Sequence, residues 1–176
     1  MGEEKKPKKV KLFMALLASD EEAMERARRR LLFEYGETDL ESPSWTFDQT
    51  SYYEKEMGPA LIKKLIAIHP LIDPDELPSV KTNTNLLEKL FGRSDGTRLV
   101  NIDPGYLGLS KVVLATTKDY NHRLYLGNKI YGEVTLHYRA AEKSFMPWEW
   151  TYPDYRLPEV IGFFNNIRDI YREQIQ

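Results

Sequence analysis

VKLFMALLA (Val10–Ala18), running straight into SDEEAMERARRRLLFEYG (Ser19–Gly36), is the stretch whose reading decides the fold. The first nine residues are apolar at every position but Lys11, the pattern of a strand covered on both faces of a sheet. Ser19 then reads as a helix N-cap, with Glu22 three residues on completing a capping box. Ala23, Ala27, Leu31 and Tyr35 recur at helical spacing, and Gly36 ends the run. A covered strand feeding an amphipathic helix predicts a helix packed on a sheet.

One other reading of this region is open to test. Lys5, Lys6, Lys8 and Lys9 ahead of Leu12–Ala18 imitate the charged and apolar parts of a signal peptide. The apolar run is at the short limit for that purpose, Lys11 lies against it, and a helix start follows with no Ala-x-Ala exit. The strand reading is preferred. Residues 1–8 (MGEEKKPK) read as a disordered charged tail, and residues 9–176 as a single α+β domain.

Working outward, WTFDQTSYYEKE (Trp45–Glu56) is rich in aromatic and β-branched residues and reads as a strand. Met57-Gly58-Pro59 turns the chain into a further strand over Leu61–Ile68. Asp73-Pro74-x-Glu76 opens a second helix with an N-cap, an N1 proline and an acid at N3. Its inner stripe is Leu77, Val80, Thr84, Leu87 and Phe91; Pro78 splits off its first turn, and Gly92 stops it. Arg98–Asp103 is a short strand. The order β-α-β-β-α-β predicts a ferredoxin-like core, an antiparallel sheet with the helices at 20–35 and 74–91 on one face. Beyond it, Ser110–Lys118 reads equally as strand or short helix. Asn121–Leu126 and Lys129–Tyr138 form a β-hairpin about a type II′ turn at Gly127-Asn128. Phe145–Arg156 is an aromatic, proline-punctuated loop, and a terminal helix from Pro158 buries Val160, Phe163, Phe164, Ile167 and Tyr171. The expected class is therefore α+β, a ferredoxin-like βαββαβ core extended by a C-terminal hairpin and helix.

Composition narrows the function. The chain of 176 residues carries 25 Lys and Arg against 27 Asp and Glu, a net charge of −2, which argues against a duplex-DNA binder while leaving room for a local basic patch. With no cysteine, a disulfide scaffold, a Cys-ligated metal and a thiol nucleophile are all excluded. Three scattered histidines lack zinc-ligand spacing. No apolar stretch is long enough to span a bilayer, so the expected location is cytoplasmic, with no membrane partner. Neither a cofactor nor an oligomeric state is indicated.

Several runs are familiar together: LLASD (16–20), YYEKEMG (52–58), NIDPGYLGLSKVVLATTKD (101–119), HRLYLG (122–127), IYGEVTL (130–136) and WTYPDYR (150–156). They resemble the domain of unknown function 4416 family of prokaryotic proteins over about residues 9–174. The resemblance carries no activity across, although some members bear a GTP-binding label. The label finds no support in the residues. There is no G-x-x-x-x-G-K-[ST] loop to cradle phosphates and no G-x-G-x-x-G. Asn128-Lys129-Ile130-Tyr131 has Tyr where a guanine-reading N-K-x-D motif needs an acid.

The candidate site residues come from the second half of the chain. With Gly127-Asn128 as the turn, His122 falls opposite Glu133 on one sheet face, a pairing suited to general acid/base work or to clamping an anion. The competing reading is an ordinary surface pair. Asp103, placed at a turn in Asp103-Pro104-Gly105, together with Lys111, Lys118 and Arg123, could bind a phosphate or carboxylate. The register sends Arg123 to the opposite face from His122. Lys81 and Asn85 share a helix face and offer a further contact, to a ligand or to a neighbouring loop. Glu54 and Glu56 at strand spacing would point together. The leading expectation is an enzyme or binder for a phosphate- or carboxylate-bearing small molecule, with nucleotides included. The alternative is a non-catalytic assembly or RNA-associated module working through the aromatic loop.

Overall fold

The computed structural model describes residues 2–48 and 52–176. Among the described residues nine strands form one sheet: β1 Val10–Ala18, β2 Thr38–Glu41, β3 Trp45–Phe47, β4 Leu61–Ile72, β5 Val100–Leu107, β6 Lys111–Thr116, β7 Arg123–Gly127, β8 Ile130–Arg139 and β9 Ser144–Pro147. The helices are α1 Glu21–Tyr35, the single turn α2 Glu54–Met57, α3 Leu77–Leu90 and α4 Pro158–Gln174. The strand order is β2-β4-β1-β5-β6-β8-β7, with β3 also on β4 and β9 also on β8. Every pairing among the described residues is antiparallel. The mixed α+β class and the antiparallel sheet expected from the sequence are present.

β1 is central and covered on both faces, as its unbroken apolar run requires. Leu12, Met14 and Leu16 meet Ala27 and Leu31 of α1 and Val80 and Leu87 of α3. Phe13 and Ala15, pointing the other way, meet Phe163, Phe164 and Ile167 of α4. The two helices read from capping signals thus share one face, and α4 fills the other.

Local details differ from the expectation. The N-cap of α1 is Asp20, whose carboxylate accepts from the Ala23 amide at 2.7 Å. Ser19 stays with the sheet, because its amide is bonded to the Leu99 carbonyl. The capping box at the start of the second helical segment is present at Asp73 and Glu76, where Pro74–Glu76 form a 3-10 turn ahead of α3. Of the strand read over Trp45–Glu56, only Trp45–Phe47 is extended; residues 49–51 lie outside the described residues, and Glu54 and Glu56 fall on the turn α2 rather than on one strand face. Ser110–Lys118 resolves to a strand. Asp103-Pro104-Gly105 is no turn but the middle of β5.

The hairpin is one residue out of the expected register. Asn128 and Lys129, at φ 52 and 63, are the two central residues, a type I′ turn in place of type II′ at Gly127-Asn128. A bulge at Leu126 supplies the extra residue, and its side chain lies over Gly132, where a Cβ would come within 2.8 Å of it. The consequence is that Arg123, and not His122, stands opposite Glu133.

Candidate functional site

The site begins with a fork in the sheet. β5 pairs with β1 along its whole length, but with β6 only from Gly105 to Leu107. The first half of β5 therefore has an open edge. Its backbone is satisfied by α3: the Ile102 amide donates to Glu88 Oε1 at 2.7 Å, and its carbonyl accepts from Lys81 Nζ at 2.8 Å. Strand alternation then aims Pro104 at the same edge, and proline has no N–H to offer β6. Pairing starts at the next residue. Gly105 is required there, since a Cβ would lie 2.4 Å from Phe13 Cζ and 2.5 Å from the Val113 carbonyl oxygen.

The fork opens into a cleft of about 570 Å³. One wall carries Lys81, Asn85 and Glu88 of α3 with Asn101 and Asp103 of β5; the other carries Thr116, Thr117, Lys118, Arg123 and Glu133. Tyr52, Tyr53, Tyr152, Asp154 and Tyr155 close round it, with Lys63 reaching in from β4.

Most of the charges are held in pairs. Lys81 Nζ donates to Asp103 at 2.9 Å, and Asn101 Nδ2 donates to the other Asp103 oxygen at 2.7 Å. Arg98 bridges Glu56, Glu88 and the side-chain amide oxygen of Asn101. Desolvation deep in the cleft pushes the Asp103 carboxyl up, but Lys81, Lys63 and Asn101 outweigh it and hold it below the usual range. Desolvation wins at buried Glu88, whose carboxyl is raised although Lys81 and Arg98 oppose it. Two neighbouring acids are thus driven apart, Asp103 firmly ionised and Glu88 more readily protonated. Lys63 pairs with Asp154 beneath the Phe47 and Tyr155 rings. Arg123 Nε donates to Glu133 Oε2 at 2.9 Å, Nη1 to the Lys118 carbonyl and Nη2 to Tyr152 Oη. Lys118 is exposed, lies over the Tyr52 ring at 4.3 Å, and has no carboxylate partner among the described residues.

Lys81, Asn85, Asp103, Lys118, Arg123 and Glu133, picked from the sequence, all line this cleft. Lys111 does not: it is exposed at the far end of β6, opposite His137. His122 also lies outside, in a shallow groove with Asn121, Glu149 and Trp150. It precedes the first residue of β7, so alternation does not bind it, and its Nε2 still reaches Glu133 Oε2 at 3.0 Å. Glu133 is thereby shared by Arg123 on the cleft side and His122 behind. Arg123 shares the cleft face with Glu133, contrary to the expected register, because of the slip at Leu126.

Sequence reading missed Lys63, Glu88, Arg98, Asp154, Tyr52, Tyr53 and Tyr120, and took Tyr152 and Tyr155 only as rings of the aromatic loop that could stack on a base. A signal existed for two of them. Lys63 occupies an inward position of β4 between Leu61 and Leu65, and Glu88 continues the buried α3 stripe through Leu77, Lys81 and Thr84.

In chemical terms the cleft offers a fixed carboxylate, a cation at its mouth with no carboxylate partner among the described residues, and aromatic walls. Among the described residues no group of three or more His, Asp and Glu is placed to hold a metal ion, and no helix is long and apolar enough to cross a membrane. No curated protein and no solved structure matches the chain. A family model described as domain of unknown function DUF4416 matches residues 8–171, nearly the whole length, and the chain belongs to that family.

Proposed function

We propose that this is a cytoplasmic protein that binds, and as an enzyme acts on, a small phosphate- or carboxylate-bearing molecule held in the forked-sheet cleft. The observation that carries this reading is Lys118: the other cations of the cleft are paired with carboxylates, and Lys118 stands at the mouth without one among the described residues, beside Thr117 and within a tyrosine wall. A charge left uncommitted at an opening suits an anionic ligand. Nucleotides fit the reading through stacking on Tyr52 or Tyr120. Glu133 is the acid/base candidate that faces the ligand. His122, stacked between Tyr120 and Trp150, acts through it as a positioning residue. Thermal-shift and calorimetric titration with inorganic phosphate, nucleotides, sugar phosphates and dicarboxylates tests the proposal. Binding by the wild type, weakened about tenfold or more in Lys118→Ala with folding intact, is expected. Silence across the panel contradicts it.

The alternative, an RNA-associated or assembly module, draws on a different feature. Tyr120, His122, Trp150, Trp148 and His137 form a continuous column of rings, with successive centroids 4.1 to 6.1 Å apart, of which Tyr120 lines the cleft and the other four lie outside it. Quenching of tryptophan fluorescence by single-stranded oligonucleotides would favour it. The strand order β2-β4-β1-β5, with α1 and α3 on one face, also supports our reading of this part as ferredoxin-like.

A further inference from the structure

Tyr155 lies in the 3-10 turn Pro153–Arg156, is 3% exposed, and stacks on Phe164 of α4. Its hydroxyl is buried and has no hydrogen-bond partner among the described residues. Buried hydroxyls are normally satisfied, because an unpaired one keeps the full cost of leaving water. Tyr155 packs in the α4 core and also lines the cleft, in company with Asp154, Asp103 and Glu133. Burial above all drives its ionisation upward, leaving it a protonated donor.

Two other groups complete the floor. The Asp103 carboxylate spends one oxygen on Lys81 and the other on Asn101, and each oxygen keeps a lone pair. Asn85, one helical turn beyond Lys81, lines the cleft, and its side chain makes no hydrogen bond with the described residues. A fixed donor, a fixed acceptor and an amide that does both match hydroxyl groups, which also do both. A bare phosphate or carboxylate, acceptor only, would bring like charge against Asp103.

We propose that the cleft floor formed by Tyr155, Asp103 and Asn85 is a hydroxyl-binding subsite, so that the ligand is a polyhydroxylated anion, a sugar or polyol phosphate or a sugar acid, with its charged end at Lys118. This rests on the anion-binding reading given above. The test is calorimetry on the full chain with inorganic phosphate, butyl phosphate as the hydroxyl-free control, and ribose 5-phosphate, glucose 6-phosphate and glycerol 3-phosphate. At least one polyol phosphate should bind about tenfold or more tightly than butyl phosphate. Tyr155→Phe and Asn85→Ala should each remove most of that margin and leave the butyl phosphate affinity unchanged, while Lys118→Ala weakens every ligand. Free Tyr155→Phe should also melt higher than wild type, since it loses an unpaired buried hydroxyl and keeps the ring. Equal affinity for polyol and butyl phosphates overturns the subsite and leaves anion binding standing. No binding by any phosphate overturns both. A lower melting temperature for Tyr155→Phe would mean that the hydroxyl is already bonded inside the protein, which also overturns the subsite.

Discussion

Gly105 is the residue on which the site turns. Strand β5 passes so close to Phe13 and to the β6 backbone that a methyl group has no room. Gly105→Ala should destabilise the fold by about 1–3 kcal/mol, the usual cost of overpacking, read from urea unfolding; an unchanged midpoint would mean that β5 and β6 are free to separate. Lys129 is a different case, a non-glycine residue at φ 63 in a two-residue turn. Lys129→Gly should gain about 1 kcal/mol in the same measurement. At this scale polar residue types marked the site well and their partners poorly. Asp103, Lys81 and Lys118 stood out as charges, but nothing in one sequence says that Lys81 crosses to the edge of β5, because that contact depends on where α3 lies.

Among the elements, β2 is held to α1 and β4 by charge. Glu41 accepts from Arg28 at 2.6–2.9 Å and from Lys64 at 2.9 Å. The Arg28 hydrogen bonds lead in lowering its carboxyl from 4.5 to about 2, against desolvation, with Lys64 assisting. A depressed folded-state value means stability that is present above 4.5 and lost as the pH falls from there towards 2. Wild type should therefore weaken across that window by an amount that Arg28→Ala lacks, about 1 kcal/mol allowing for solvent screening. Parallel curves for the two proteins from pH 6 to 2.5 would contradict the assignment. Element boundaries were legible where caps and periodicity agreed, as in α3 and α4. They failed in the hairpin, where three consecutive residues, Gly127, Asn128 and Lys129, adopt positive φ and the choice between turns rests on a bulge over Gly132. That single residue moved His122 out of the position opposite Glu133 and put Arg123 there.

For the whole molecule, the organising feature is that one sheet divides at Pro104-Gly105 and the opening is lined from both branches. The class and the placement of α1 and α3 on one face followed from patterning local to each segment. The fork did not, since it depends on which half of β5 meets β6, a pairing between segments that hydrophobic periodicity does not encode. Legible charges and an illegible fork together explain why six of the chosen residues meet in the cleft while Lys111 and His122 do not. Ligand entry into this fork is what joins these features into one site. Its most direct test is residue-resolved amide NMR during titration with inorganic phosphate and ribose 5-phosphate. Shifts are expected at Thr116, Thr117 and Lys118 with both ligands, and at Asn85, Asp103 and Tyr155 with ribose 5-phosphate. Shifts gathered instead at Asn121, His122, Glu149 and Trp150, or none at saturating ligand, would contradict it.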